Sequence, residues 1–160
     1  MARRDRGSLA EAGAGGEVEG VAQVHWITDD LAIGNYVDAQ DSALLKDAGI
    51  RSVLGLTAAL EGTQPSSLGL QRIEIIPLED GPGNDPRLLK SAIVILEDLV
   101  ANCGPVLVHC HAGRSRSVVV VAAYLMRTLG LGAEAALAQV ASKKEIAITP
   151  GLERLLDAIS

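Results

Sequence analysis

The sequence predicts an α/β fold in which a central, mainly parallel sheet carries helices on both faces. Short apolar, β-branched runs alternate along the chain with segments whose apolar residues fall at i, i+3 and i+4, the order expected when neighbouring strands are joined through helices. The chain has 160 residues, 48% of them apolar, with a mean hydropathy of +0.27, which suits one domain with a real core. Aromatics make up only 2%, namely Trp26, Tyr36 and Tyr124 with no Phe, so Leu, Ile, Val and Ala must fill that core.

Residues 1–20 are rich in Gly, Ala and charge and read as a flexible tail, leaving 21–160 as the folded domain. His25–Thr28 and Leu31–Gly34 read as a hairpin turning at Asp29-Asp30. Residues 38–48 carry Ala39, Ala43, Leu44, Leu45 and Ala48 at helical spacing and stop at Gly49, as a helix ending in a left-handed cap would. Residues 52–56 then read as a buried strand, 61–69 as a Gly/Pro/Ser/Thr loop, and 71–76 as a second strand ended by Pro77. A loop over 78–86 leads to a helix capped by Asn84 or Asp85, whose apolar stripe is Leu88, Leu89, Ala92, Ile93, Leu96, Leu99 and Val100. Residues 132–141 and 150–159 read as two closing helices, the last capped by Thr149 with Pro150 in its first turn. Lys143 and Lys144 beside Glu145 read as a polar helix end.

The formal charge of −6 argues against general nucleic-acid binding, which needs a basic surface to neutralise phosphates. Arg3, Arg4 and Arg6 resemble the basic start of a secretion signal, but residues 9–20 lack an apolar core and fail as one. No run reaches the roughly 18 apolar residues of a membrane helix, because the one ending at Met126 is halted by Arg127. Cys103 and Cys110 are too few for a disulfide framework, and a reactive thiolate suits a reducing compartment, so a cytoplasmic monomer is expected. Adjacent His109, Cys110 and His111 do not have zinc-ligand spacing, so neither a metal nor a cofactor is expected.

The run Val106-Leu107-Val108-His109-Cys110-His111-Ala112-Gly113-Arg114-Ser115-Arg116-Ser117 carries the chemistry. A strand pattern delivers Cys110 into a short polar loop, and the helical run from Val118 places that loop at a helix N-terminus, where backbone N–H groups converge on an anion such as phosphate. The ring around that anion is His111, Ala112, Gly113, Arg114, Ser115 and Arg116. A free thiol titrates near about 8.5, and helix N-termini and cationic neighbours lower this to roughly 3.5–7.5. Arg116 offers a planar fork to two phosphate oxygens, which lysine would lack. Gly113 permits the tight turn that aims successive N–H groups inward. Ser117 is within reach of the sulfur and would stabilise it as a leaving group. Strand alternation points His109 away from Cys110, so it braces the loop rather than acting as a base.

The segment His109-Cys110-His111-Ala112-Gly113-Arg114-Ser115-Arg116-Ser117, followed by Ala123-Tyr124-Leu125-Met126, resembles the dual-specificity branch of the cysteine-dependent protein tyrosine phosphatases. The likeness extends with less specificity over about residues 26–156, including Pro77-Leu78-Glu79-Asp80, which makes 21–160 a catalytic domain with a protein tyrosine phosphatase-like fold. The resemblance implies a phosphocysteine on Cys110 and a general acid on a separate loop. Asp80, thirty positions before Cys110 and between the strand and the long helix, fits that place; Glu79 and Asp85 are its rivals. The family often has Asn after the proline near the last helix, where it orients the loop serine, whereas Pro150 is followed here by Gly151. The phosphotyrosine-recognition segment of the larger enzymes is missing, which implies a shallow pocket open to phosphoserine and phosphothreonine.

Phosphorylated proteins or peptides are therefore the expected partners. Arg114 keeps a phosphoinositide or other phospholipid open as an alternative substrate, although a solvated side chain at the rim explains it more simply. An RNA 5′-phosphate fits the acidic charge poorly, a rhodanese-like sulfurtransferase has a shorter loop, and a non-catalytic phosphate-binding module would usually have lost Cys110, Arg116 or Asp80. Cys103 reads as a small buried thiol, with a disulfide to Cys110 under oxidation as the alternative.

Overall fold

Five four-residue strands form one sheet in a computed structural model of the protein, which describes residues 24–159. The expected tail over 1–20 lies outside the described residues. The strands are β1 (His25–Thr28), β2 (Leu31–Gly34), β3 (Ser52–Gly55), β4 (Arg72–Ile75) and β5 (Val106–His109), in the order β1-β2-β5-β3-β4. Only β1 runs antiparallel to its neighbour, as the Asp29-Asp30 hairpin requires; β2, β5, β3 and β4 are parallel. All four residues of β2, β3 and β5 are buried, as expected where helices cover both faces of a parallel sheet.

Period-two alternation divides the core. Leu31, Ile33, Leu54, Val106 and Val108 face one layer, while Ala32, Val53 and Leu107 face the other. The larger layer is covered by α2 (Pro86–Cys103), α3 (Arg116–Leu129), α4 (Ala133–Ala141) and a 3-10 helix at Leu152–Ala158. The smaller is covered by α1 (Ser42–Ala48) and the turn at Ala58–Leu60. In α2, Pro86 takes the first turn, the Asp85 side chain caps the Arg87 N–H, and Leu89, Ala92, Ile93, Leu96 and Leu99 form the buried stripe. Among the described residues no single helix is long and apolar enough to cross a membrane.

Three predicted elements are corrected. The helix expected over 38–48 is a 3-10 turn at Asp38–Gln40 followed by α1, because Asp41 is extended and uses its carboxylate to cap the Leu44 N–H. The loop over 61–69 contains a 3-10 turn at Pro65–Leu68. The last element starts at Leu152 and is 3-10 rather than α; Gly151 precedes it at φ +94, and Thr149, not a cap, gives its N–H to Ser115 Oγ.

Candidate active site

Strand β5 ends at His109 and α3 begins at Arg116, so Cys110 opens a six-residue loop at the carboxyl end of the central strand. Gly34 and Gly55 pair in register with His109 from either side. A Cβ on Gly55 would sit 2.8 Å from His109 Nε2, and one on Gly113, at φ +73, would sit 2.9 Å from the Gly34 carbonyl oxygen. The loop thus lies directly on the bare backbone ending β2, an approach that only glycine permits.

Cys110 is 2% exposed, with its Sγ 3.3 Å from Ser117 Oγ. Burial pushes the thiol up, but the Ser117 hydroxyl and the backbone N–H groups of Ser117, Gly113 and Ser115 outweigh it, and the net shift is downward. Ser115 precedes α3 without capping it, so the N–H groups at the start of the helix face the loop interior. His109 is fully buried. Its Nδ1 lies 3.1 Å from the Cys110 carbonyl oxygen, and burial holds the imidazole below its ordinary pKa, as a brace requires.

A second loop closes over the first. Arg116 donates to the Leu78 carbonyl at 3.1 Å, and its Nε is buried with no protein partner, a donor suited to an anion. Ser115 Oγ donates to Asp80 Oδ1 at 2.7 Å and accepts the Thr149 N–H at 2.9 Å. Thr149 therefore supplies the serine orientation for which Gly151 has no side chain. Asn84 ties the second loop, donating to the Glu79 carbonyl and accepting the Glu79 N–H, both at 2.8 Å. The rival Asp85 is committed elsewhere: it caps α2 and pairs with Arg87 at 2.7 Å, whose guanidinium holds its carboxyl below the usual range. Of the three acids, Asp80 is the one hydrogen-bonded to the loop around Cys110.

Along the rim, His111, Ala112 and Arg114 are exposed. Tyr36 stacks on the His111 ring with centroids 4.6 Å apart and planes 8° from parallel, and the Tyr36 N–H donates to the His111 carbonyl at 3.1 Å. The sequence carries no signal for this pair, because it forms only when the segment after β2 docks on the Cys110 loop. Lys144, expected as part of a polar helix end, lies beyond it: α4 stops at Ala141, and Lys144 turns back, half-buried, to donate to the Gly113 carbonyl.

Residues 31–157 match the family described as "Dual specificity phosphatase, catalytic domain". The chain belongs to the dual specificity phosphatases. It is 31% identical over 137 residues to dual specificity protein phosphatase 1B of Arabidopsis thaliana, covering 85% of this chain and 80% of that protein. It is 29% identical over 121 residues to dual specificity protein phosphatase 1 of the same plant, covering 76% and 60%. Across eight of the curated relatives it matches, the chain spans between 30% and 80% of their length. Among solved structures, a mouse putative dual specificity phosphatase complexed with zinc tungstate superposes with a TM-score of 0.73, at 28% identity over 88% of each chain.

Proposed function

We propose that this member of the dual specificity phosphatases hydrolyses phosphotyrosine and phosphoserine or phosphothreonine in proteins and peptides. The observation that carries the reading is a thiol whose pKa is lowered by the Ser117 hydroxyl and by the backbone N–H groups of Ser117, Gly113 and Ser115, with Asp80 bonded at 2.7 Å to the same loop through Ser115. The Cys110 thiolate attacks phosphorus as the bond to the leaving oxygen breaks, and Asp80 protonates that oxygen. Arg116 and the loop N–H groups hold the three nonbridging oxygens and stabilise the charge of the trigonal-bipyramidal transition state. In the second step Asp80 takes a proton from water, which attacks the phosphocysteine; the S–P bond breaks and Ser117 hydrogen-bonds the departing thiolate.

The thiolate is the nucleophile and Arg116 the electrophilic clamp, so the chemistry runs without a metal. The related mouse protein was crystallised with zinc tungstate, and tungstate is a tetrahedral oxyanion of phosphate's shape. Cys103 and Cys110 are free thiols, which suits a monomer working in the reducing cytoplasm. The test is phosphate release, in the presence of chelator, from phosphotyrosine and phosphothreonine peptides and from vesicles containing a phosphoinositide. Release from both peptides, lost in Cys110→Ser, supports the reading; release from the vesicles alone contradicts it.

A further inference from the structure

The segment joining α4 to the last 3-10 helix runs along the outside of the Cys110 loop and grips three consecutive loop residues. Lys144 Nζ donates to the Gly113 carbonyl, the Ala147 N–H to the Arg114 carbonyl at 2.9 Å, and the Thr149 N–H to Ser115 Oγ at 2.9 Å. In a trans peptide unit the C=O and the following N–H point opposite ways. Holding the Gly113 and Arg114 carbonyls outward therefore turns the Arg114 and Ser115 N–H groups inward, and the Ser115 N–H is one of those on the Cys110 sulfur. Two of these clamps come from backbone. The third is a side chain that nothing in the motif around Cys110 demands.

We propose that Lys144 is a positioning residue for the anion cradle: its ammonium clamps the Gly113 peptide from outside, keeping the loop amides aimed at Cys110. Its neighbours fit this role better than substrate contact. Lys144 is half-buried and spends two donors on the carbonyls of Gly113 and Glu145. It shares a cleft of about 250 Å³ with His25 of β1, Asp38 of the first 3-10 turn, Arg114 of the loop and Glu145. Burial and Arg114 pull its pKa down, while Cys110, Glu145 and Asp38 push it up, and burial and Lys144 itself hold His25 down; Ser117 faces the thiol from the start of α3, and His109, whose imidazole lies 3.1 Å from the Cys110 carbonyl, is held down by burial and by Arg116. The consequence for turnover rests on the phosphatase reading above, but the consequence for the thiol does not.

The experiment reads the thiol directly, as the rate of iodoacetamide alkylation of Cys110 against pH, located by peptide mass, in wild type, Lys144→Met, Lys144→Gln and Lys144→Arg. The expected result is a midpoint about one pH unit higher in Lys144→Met, since the Gly113 peptide is released and the loop amides that favour the thiolate lose their aim, with Lys144→Arg restored to the wild-type curve. Lys144→Gln keeps a carbonyl donor without the charge and is expected between them. With para-nitrophenyl phosphate, kcat near pH 6 is expected to fall about tenfold in Lys144→Met with the larger change in kcat rather than KM. An alkylation midpoint unmoved in both Lys144→Met and Lys144→Gln, or a loss confined to KM, would overturn the proposal. A wild type that turns over no substrate would instead defeat the phosphatase reading and leave the alkylation test of Lys144 intact.

Discussion

At Cys110 two opposing influences meet, burial that disfavours the thiolate and hydrogen bonds that favour it, and the second wins. Because the ionised sulfur is the attacking form, kcat/KM is expected to rise with pH through a value below that of an ordinary thiol. Ser117→Ala removes the hydroxyl's hydrogen bond to the sulfur, so its acid limb is expected at higher pH, by about half a unit to one unit; coincident limbs would contradict the role given to Ser117. Asp80→Asn is expected to lower kcat by about 10²–10⁴-fold and to remove the basic limb, whereas Asp85→Asn should leave turnover nearly unchanged, because Asp85 serves the helix cap and Arg87. The reverse ranking in steady-state rates would move the acid. Cys110, Arg116 and Ser117 were legible in the sequence because the loop is contiguous and its spacing carries the geometry. That Ser115 reaches Asp80, rather than Glu79 or Asp85, was not legible from spacing, since the contact depends on how two loops 35 positions apart dock.

At the scale of elements, the site is a strand, a loop and a helix pressed onto the backbone of β2, and Gly113 is where the fit is tightest. Gly113→Ala combines a left-handed φ with a 2.9 Å approach to the Gly34 oxygen, and is expected to cost about 1–3 kcal/mol with loss of turnover. Thermal unfolding together with the para-nitrophenyl phosphate rate checks it; wild-type values in both would contradict the close approach. The strands, α2 and α3 were readable from periodicity and from Pro86 and Asp85. The segment after α4 was not. Its residues have no repeating apolar spacing, and their conformation is set by the loop they grip: Ala147 and Thr149 spend their N–H groups on Arg114 and Ser115, and Gly151 at φ +94 stops a helix that Pro150 would otherwise begin.

For the whole molecule, two apolar layers sandwich the sheet, and the larger rests on the aliphatic stripe of α2. Leu96 is fully buried there, so Leu96→Ala is expected to destabilise by about 2–5 kcal/mol, read from denaturant unfolding; a loss below half a unit would contradict its place in the core. Beneath the site lies His109, whose folded-state pKa is held down by burial. The unfolded chain therefore binds that proton at higher pH than the folded chain, so the associated stability is present above the ordinary histidine value of about 6.5 and is lost as pH falls below it. Melting temperature should drop between pH 7 and pH 5, and less steeply in His109→Asn; equal slopes would show that His109 is not the buried neutral group. The alternation of strands and helices made this architecture legible in advance, since a parallel sheet leaves little other choice. The placement of Tyr36 against His111 and of Lys144 against Gly113 depends on how distant segments dock, which periodicity does not encode.

The measurement that bears most directly on the central claim is acid quenching of the protein during turnover of para-nitrophenyl phosphate, with chelator present, followed by mass analysis of the peptide carrying Cys110. One phosphate on Cys110 in the wild type, more of it in Ser117→Ala where sulfur leaves less readily, and neither adduct nor turnover in Cys110→Ser is the expected result. Steady phosphate release with Cys110 unmodified, and undiminished in Cys110→Ser, would contradict it.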